Sequence, residues 1–179
     1  RFNQKEDISS SSLVKSSVQR GIRQKVSDQF VPLQPALDDV LPKKSSMYLH
    51  KCHEHISLVA MNGRLLFFNQ RDGPYAPTLR LVHEYPDCLP TVQVDRGAIK
   101  FVLSGANIMC PGLTSPGARM DTELPEGAIV AVMAEGKEHA LAIGRMKMST
   151  ADVKKINKGI GVETLHYLND GLWKSRMET

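Results

Sequence analysis

Apolar residues step by four through Val14, Val18, Ile22, Val26 and Phe30, a spacing that lays one slanting stripe along a helix. Lys15, Arg20, Arg23 and Lys25 fall off that stripe and make the other side basic; a solvated face and an RNA contact both fit such a surface. Pro32 and Pro35 interrupt, and Pro35 to Leu41 predicts a short second helix with proline in its first turn. Residues Tyr48 to Ala60 favour extended structure and predict a strand. Asn62-Gly63 then predicts a two-residue hairpin turn, with Arg64 to Asn69 returning. Leu65 to Phe68 is apolar on both faces, which predicts a strand covered on both sides. Thr78 stands as a helix cap before Leu79, Leu81 and Val82, and Pro86 stops that helix. The segment from Pro86 to Pro90 is the clearest break, dividing the chain into residues 1–90 and 91–179.

The second part begins with a strand at Thr91 to Val94 and then reaches DRGAIKFVLSGANIMCPGLTSPG, residues 95–117. Ala98, Ile99, Val102 and Leu103 line one side of a short helix. Gly97 opens it, and Gly105 sits where a helix ends in a left-handed residue. Asn107 to Cys110 is long enough for a strand, closed by Pro111-Gly112 as a turn. Glycines on both sides allow the backbone to approach whatever lies against this corner; on the residues alone, a tight helix-strand connection without a ligand is the favoured reading. Ala128 to Ala134 reads as a buried strand, and His139 to Met146 pairs back after Gly136-Lys137. Ser149 and Asp152 form a capping box, Gly159 ends the next helix, and Val162 to Leu168 is a last strand before the turn at Asn169 to Gly171. Short strands, tight turns and two small helices describe a small, partly open β-barrel.

Composition adds bounds. The 179 residues are 41% hydrophobic and 23% charged, as in globular proteins, and no apolar run approaches the ~18–20 residues of a membrane span. The opening RFNQKEDISSSS lacks an apolar core behind basic residues, so no signal peptide is expected there, and this polar, serine-rich stretch is read as frayed at its start. The chain starts without methionine, which leaves its natural start open. Three cysteines, Cys52, Cys88 and Cys110, fit reduced intracellular thiols. The net charge of +4 permits a polyanionic partner without requiring one, and most of the excess lies in residues 1–90.

Catalytic patterns are scarce. Cys52-His53-Glu54-His55 is the metal suspect: on a strand, His53 and His55 share a face, but they need a further ligand that no spacing supplies, and a polar strand face or partner surface competes. No phosphate-binding P-loop is present, and Ser115 lacks the glycine two residues before it that a nucleophile elbow needs. Ser104 and Cys110 are nucleophile types without a visible base. Ser115-Pro116 has the form of a proline-directed phosphoacceptor. No cofactor motif is found.

The run DRGAIKFVLSGANIMCPGL, with the capped helix and final strand, resembles the PUA domain, a small β-barrel of RNA-binding proteins. PKKS, KCHEHI, NGRLLFF, GPYAPTLRLVHEYP, MAEGKEHALAIG, INKGIG and HYLNDGLW are similar to the malignant T-cell-amplified sequence family of translation factors, from about Val14 to Trp173. Residues Arg119 to Glu126 align poorly. The resemblance implies an α+β protein: an N-terminal α/β domain over residues 1–90 and a C-terminal PUA domain, a small mixed β-barrel with short helices, over 91–179. It implies a cytoplasmic, non-enzymatic factor that acts with density-regulated protein. Together they would bind the small ribosomal subunit and the tRNA acceptor end, promote re-initiation after upstream reading frames, and release deacylated tRNA after termination. An RNA-binding subunit of an RNA-modification enzyme is the alternative.

By the same resemblance, the corner would form a groove for the end of an acceptor stem. Lys100 would neutralise a phosphate, a contact that positions without reading sequence. Ser104, Gly105, Ala106 and Gly112 would admit close backbone approach, Asn107 would donate to a base or ribose, and Met109 and Pro111 would offer apolar surface. Packing or turn geometry competes for each, and for Met109 a place in the core is the favoured reading. The partner surface is placed on the first domain, on the strand pair holding Cys52, His53, His55, Phe67 and Phe68.

Overall fold

The structure is a computed structural model that describes residues 7–175. Two five-stranded sheets follow one another along the chain. The first contains β1 (Ile8–Leu13), β2 (Met47–Cys52), β3 (Ile56–Met61), β4 (Arg64–Gln70) and β5 (Ala76–Pro77), neighbours in chain order and antiparallel throughout. Helix α1 (Ser16–Gln29) covers it, followed by a 3₁₀ turn (Val31–Ala36) and the single turn α2 (Leu37–Val40). Of the stepped stripe, Ile22, Val26 and Phe30 are buried, while Val18 is 47% exposed. Steps of four overshoot the 3.6-residue turn, so a long stripe slants out of any one contact. Phe30 stacks on Phe67 at 5.7 Å, and Phe67 meets Tyr75 edge-on.

Two expectations for this half are corrected, and a strand forms where none was expected. From Ile8 the serine-rich segment is β1, paired with β2 and held by Ser11 Oγ against His50 Nδ1 at 2.7 Å. Residues 1–6 lie outside the described residues. The single strand from Tyr48 to Ala60 is two, because His53–His55 turns tightly with Glu54 and His55 both at φ 61°. The chain reverses there without the Asn-Gly signal that marks the β3–β4 turn at Asn62-Gly63. His53 and His55 therefore sit on an exposed turn and do not share a strand face. Finally, Thr78 occupies the cap position of α3 (Leu79–Glu84), but its hydroxyl donates to the Leu65 carbonyl at 2.9 Å and tethers the helix to β4 instead.

The second sheet runs β6 (Thr91–Val94), β8 (Ile129–Ala134), β9 (Ala142–Met146), β10 (Ile160–Tyr167), β7 (Ile108–Met109). Only β6–β8 is parallel. Successive strands β6 and β7 thus sit at opposite edges, and the chain between them arches over the sheet through a 3₁₀ turn (Arg96–Ala98) and α4 (Ile99–Val102). Asp95 opens this arch by accepting from Ala98 N at 2.9 Å. After β7 the chain does not simply turn at Pro111-Gly112 but enters a helical turn, α5 (Pro111–Thr114), with proline at its start. Asp95 N donates to Gly112 O at 3.4 Å, which ties the end of β6 back to α5 and curls the sheet. The expected cap of α6 (Thr150–Ile156) is present, Ser149 Oγ accepting from Asp152 N at 3.1 Å; its left-handed end is Asn157, ahead of Gly159.

The sheets share a core. Ala131, Ala140 and Ile143 of the second half join the cluster built on Phe67, Leu79 and Leu81, with Leu168 and Trp173 against it. His83 Nε2 lies 2.8 Å from the Ala140 carbonyl, and Phe68 meets His166 edge-on at 5.9 Å. The short helix α7 (Gly171–Lys174) places Trp173 under the Arg80 guanidinium at 3.9 Å, and Arg80 also donates to the Trp173 carbonyl. A partly shielded cation–π pair of this kind contributes about 0.5–2 kcal/mol.

Asp170 holds that helix in place. Its carboxylate meets His166 Nδ1 at 2.7 Å and accepts from Tyr167 N at 3.0 Å and Trp173 N at 2.8 Å. Burial alone would raise the Asp170 carboxyl, but the His166 hydrogen bond and charge and the two amide bonds outweigh it and hold the group below its ordinary value. A carboxyl lowered on folding stabilises above its unfolded value of about 3.9 and loses that contribution as pH falls through the folded one. Asp170→Asn is therefore expected to lose about 1–3 kcal/mol at neutral pH. Its deficit against the parent should shrink as pH falls below about 4. Denaturant melts followed by the fluorescence of Trp173, the one tryptophan in the chain, measure both.

Candidate nucleic-acid interface

The corner between α4 and β7 is built from backbone outward. Val102, Ile108, Cys110 and Leu113 are buried beneath it, so the intervening residues are pushed to the surface. Lys100, Ser104, Ala106, Asn107, Met109 and Pro111 are exposed, and Gly105 and Gly112 are half-buried. Met109 is thus not core: it is 50% exposed, because the two-residue strand alternates and Ile108 takes the inward face. Opposite it in register stands Ile160, 37% exposed, and Phe101 on α4 is 57% exposed. The Lys100 ammonium lies 5.1 Å from the Phe101 ring centroid. Lys158 carries the other border, its carbonyl accepting from Cys110 Sγ at 3.5 Å. Lys154, Lys155 and Lys158 are all exposed beside it.

Several expected residues are already engaged. Ser104 Oγ donates to the Phe101 carbonyl at 2.7 Å, closing the last turn of α4. Ala106 O accepts from Thr164 Oγ1 at 2.9 Å, and Asn107 Oδ1 accepts from Thr164 N at 3.1 Å. Thr164 on β10 therefore clamps the corner twice. It leaves the Asn107 amide nitrogen as the available donor, with no hydrogen bond to another of the described residues. Gly105 has φ +88°, and a Cβ there would come within 2.9 Å of the Tyr167 ring; its missing side chain is required by packing as well as by backbone. At Gly112 a Cβ would meet only ordinary contacts of 3.6 Å and beyond. Ser115 is half-buried and donates to Asp95, the residue that caps the arch.

Phe101 and Ile160 were not among the candidate residues. Phe101 did carry a signal, as the one large apolar side chain off the Ala98, Ile99, Val102, Leu103 stripe. Ile160 carried none, since its exposure comes from pairing with a strand some 50 residues away.

The residues singled out on the first sheet do not form one surface. Cys52 is buried, and its thiol is pushed up to about 11, first by burial and then by the Asp7 charge. Phe67 is fully buried against Phe30 and Tyr75 and reaches no surface; Phe68, its neighbour, faces the other way toward His166. His53 and His55 are exposed. Among the described residues, no group of three or more His, Cys, Asp or Glu is placed to hold a metal ion, and no helix is long and apolar enough to cross a membrane.

Comparison with known proteins places this geometry. Residues 2–86 match the Pre-PUA-like domain and residues 90–168 the PUA domain. Over 173 residues the chain is 58% identical to malignant T-cell-amplified sequence 2 of Mus musculus, covering 97% of this chain and 95% of that one. It is 57% identical to malignant T-cell-amplified sequence 1 of Rattus norvegicus, covering 97% and 94%. Among solved structures, a hypothetical protein from Pyrococcus horikoshii aligns with a TM-score of 0.72 at 24% identity, covering 92% of this chain and 98% of that one; this likeness concerns the fold alone. The mixed helix-and-sheet architecture with a curled second sheet agrees with the α+β expectation.

The two glycines of the corner separate packing from tolerance. Gly105→Ala forces a side chain into a left-handed backbone and onto Tyr167, and is expected to cost about 1–3 kcal/mol. Gly112→Ala is expected to change stability by about 0.5 kcal/mol or less. Thermal melts of the two variants check the contrast.

Proposed function

The chain belongs to the malignant T-cell-amplified sequence family, and on that premise we propose a cytoplasmic translation factor with no catalytic activity of its own. Its unit at residues 91–179 binds RNA and its unit at residues 1–90 meets protein. With density-regulated protein it binds the small ribosomal subunit and the tRNA acceptor end. In that state it promotes re-initiation after upstream reading frames and release of deacylated tRNA after termination.

The observation that carries this reading is the exposed Met109–Ile160 pair, bordered by Phe101, Lys100 and Lys158 at the corner between α4 and β7. RNA ends are recognised by shape, stacking and backbone contacts rather than by groove hydrogen bonds. A flat apolar surface receives a terminal base. Lysines on two sides neutralise phosphates and give affinity that falls with salt. Asn107, held by Thr164, presents an amide donor to a base edge or ribose, and Pro111 extends the apolar floor. The positive charge here is modest, so binding by this chain alone is weak and the partner and ribosome supply the rest.

Co-sedimentation with purified small ribosomal subunits, with and without density-regulated protein and at two salt concentrations, tests the proposal. The partner is expected to strengthen binding. Lys100→Glu is expected to weaken it and to lower the log–log salt slope by about one, and Asn107→Ala to weaken it several-fold. Failure to bind under every condition sinks the function, and binding indifferent to both substitutions removes the corner from it. Product in a modification assay on bulk RNA would favour the enzyme-subunit alternative instead.

A further inference from the structure

Helix α1 and the loop that enters β2 lie side by side and run in opposite directions. At one end Val14 N donates to Met47 O at 2.9 Å. Further along, Gln19 Nε2 donates to Ser45 O at 3.1 Å and to Pro42 O at 3.4 Å. At the other end Arg23 Nε donates to Leu41 O at 3.2 Å, and its guanidinium pairs with Asp38. Lys15, Gln19 and Arg23 are spaced by four and form one row on the helix surface, so the loop is fastened along that row. Ser45 N donates to Pro42 O at 3.4 Å and closes a turn with Lys43 and Lys44 at its tip. A turn held in this way gives up little further freedom when its side chains are engaged.

The strip so formed is cationic. Lys15, Arg20, Lys43 and Lys44 are exposed, and none of their side chains has a hydrogen bond or ion pair with another of the described residues. Arg20, three residues before Arg23, is its neighbour on the helix surface. Of the carboxylates on α1, α2 and the loop, Asp38 is engaged by Arg23 and Asp28 accepts from Gln24 at 2.8 Å. Asp39 on α2 is the one that remains, and the first turn of α1 holds no acidic residue. Residues 14–23 and 41–47 include no aromatic side chain. Single strands are held by stacking bases on aromatic rings, and the cores of protein interfaces are enriched in aromatics and depleted in lysine. Neither occupant suits this strip. A duplex is held by its shape and its phosphates, without stacking.

We propose that this strip grips the phosphate backbone of double-stranded RNA, with Lys15 and Arg20 on α1 and Lys43 and Lys44 on the turn meeting its phosphates. Contacts of this kind position a duplex without reading its sequence. The corner between α4 and β7 exposes Phe101, Met109 and Ile160, the apolar surface that an RNA end needs and the strip lacks. The two sites therefore take different parts of a folded RNA. The inference goes beyond the reading above, which gives RNA to residues 91–179 alone, and it stands without the protein partner.

A covalently closed RNA dumbbell, a duplex without free ends, tests the strip apart from the corner. Fluorescence anisotropy with the full chain is expected to show binding that weakens with salt. Amide shifts of the ¹⁵N-labelled chain are expected to gather at Lys15, Arg20, Lys43 and Lys44. Lys43→Glu and Lys44→Glu, on an exposed turn, are each expected to weaken the dumbbell at least about threefold and to lower the log–log salt slope by about one, with an unchanged melting temperature. Lys51→Glu is the same change of charge four residues along β2 from Met47, about 13 Å away by strand rise and beyond the ~8 Å Debye length at physiological salt. That variant, and Lys100→Glu at the corner, are expected to change affinity by less than about 1.5-fold. Absence of binding, an equal loss with Lys51→Glu or Lys100→Glu, or tighter binding to phosphatidylserine vesicles or polyglutamate overturns the proposal. Loss of subunit co-sedimentation with intact dumbbell binding would remove the translation reading and leave the strip standing.

Discussion

A single half-buried carboxylate organises the junction between the two sheets. Asp170 accepts from two backbone amides and meets the His166 ring. In doing so it ends β10, caps α7 and carries Trp173 across to Arg80. Tyr167, fixed by one of those amide bonds, is the ring against which Gly105 packs. The shape of the corner is therefore inherited from a contact made at the end of β10. Removing one partner from a buried charge leaves the other group uncompensated, so the His166–Asp170 pair constrains position more than it adds net stability.

The second half of the molecule brings exposed lysines and exposed apolar side chains to one region. Lysines at 100, 154, 155 and 158 surround exposed apolar side chains on the outer face of the second sheet. The cleft between the two sheets has a mixed lining, in which Asp7, Glu54 and Asp170 stand with His53 and Arg145 among mostly apolar and neutral residues.

Much of this was legible in the sequence where physical signals were local. The Asn62-Gly63 hairpin, the Ser149 cap, the buried run at Ile129–Ala134 and the left-handed Gly105 each depend on a few adjacent residues, and each is present. What was hidden depended on distant partners. The serine strand β1 has no apolar alternation to announce it, since nearly all its side chains face solvent. The turn at Glu54-His55 uses residues that do not favour a left-handed backbone, held by hydrogen bonds from β4 and the turn after it. Thr78 looked like a cap because Leu79, Leu81 and Val82 come directly after it, yet its hydroxyl is spent on a strand. At the candidate site, exposure reversed the reading of Met109 and placed Phe101 and Ile160 on the surface of the corner.

The placement of β6 beside β8, with β7 on the far edge, also dictates an order of assembly. Strands β1 to β5 pair with sequence neighbours or across one helical excursion, while β6 must wait for β8 to emerge some 35 residues later. Parallel pairing across such a loop is slow, because the chain bears the closure entropy before contacts compensate it. The first sheet in turn lacks part of its core until Ala131, Ala140 and Ile143 arrive. As the chain is synthesised, its N-terminal half forms as a template with an unfinished apolar side, and that side is completed by the strands that also close the arch. The nascent protein thus orders the corner between α4 and β7 last, once β8, β9 and β10 are all available to hold it.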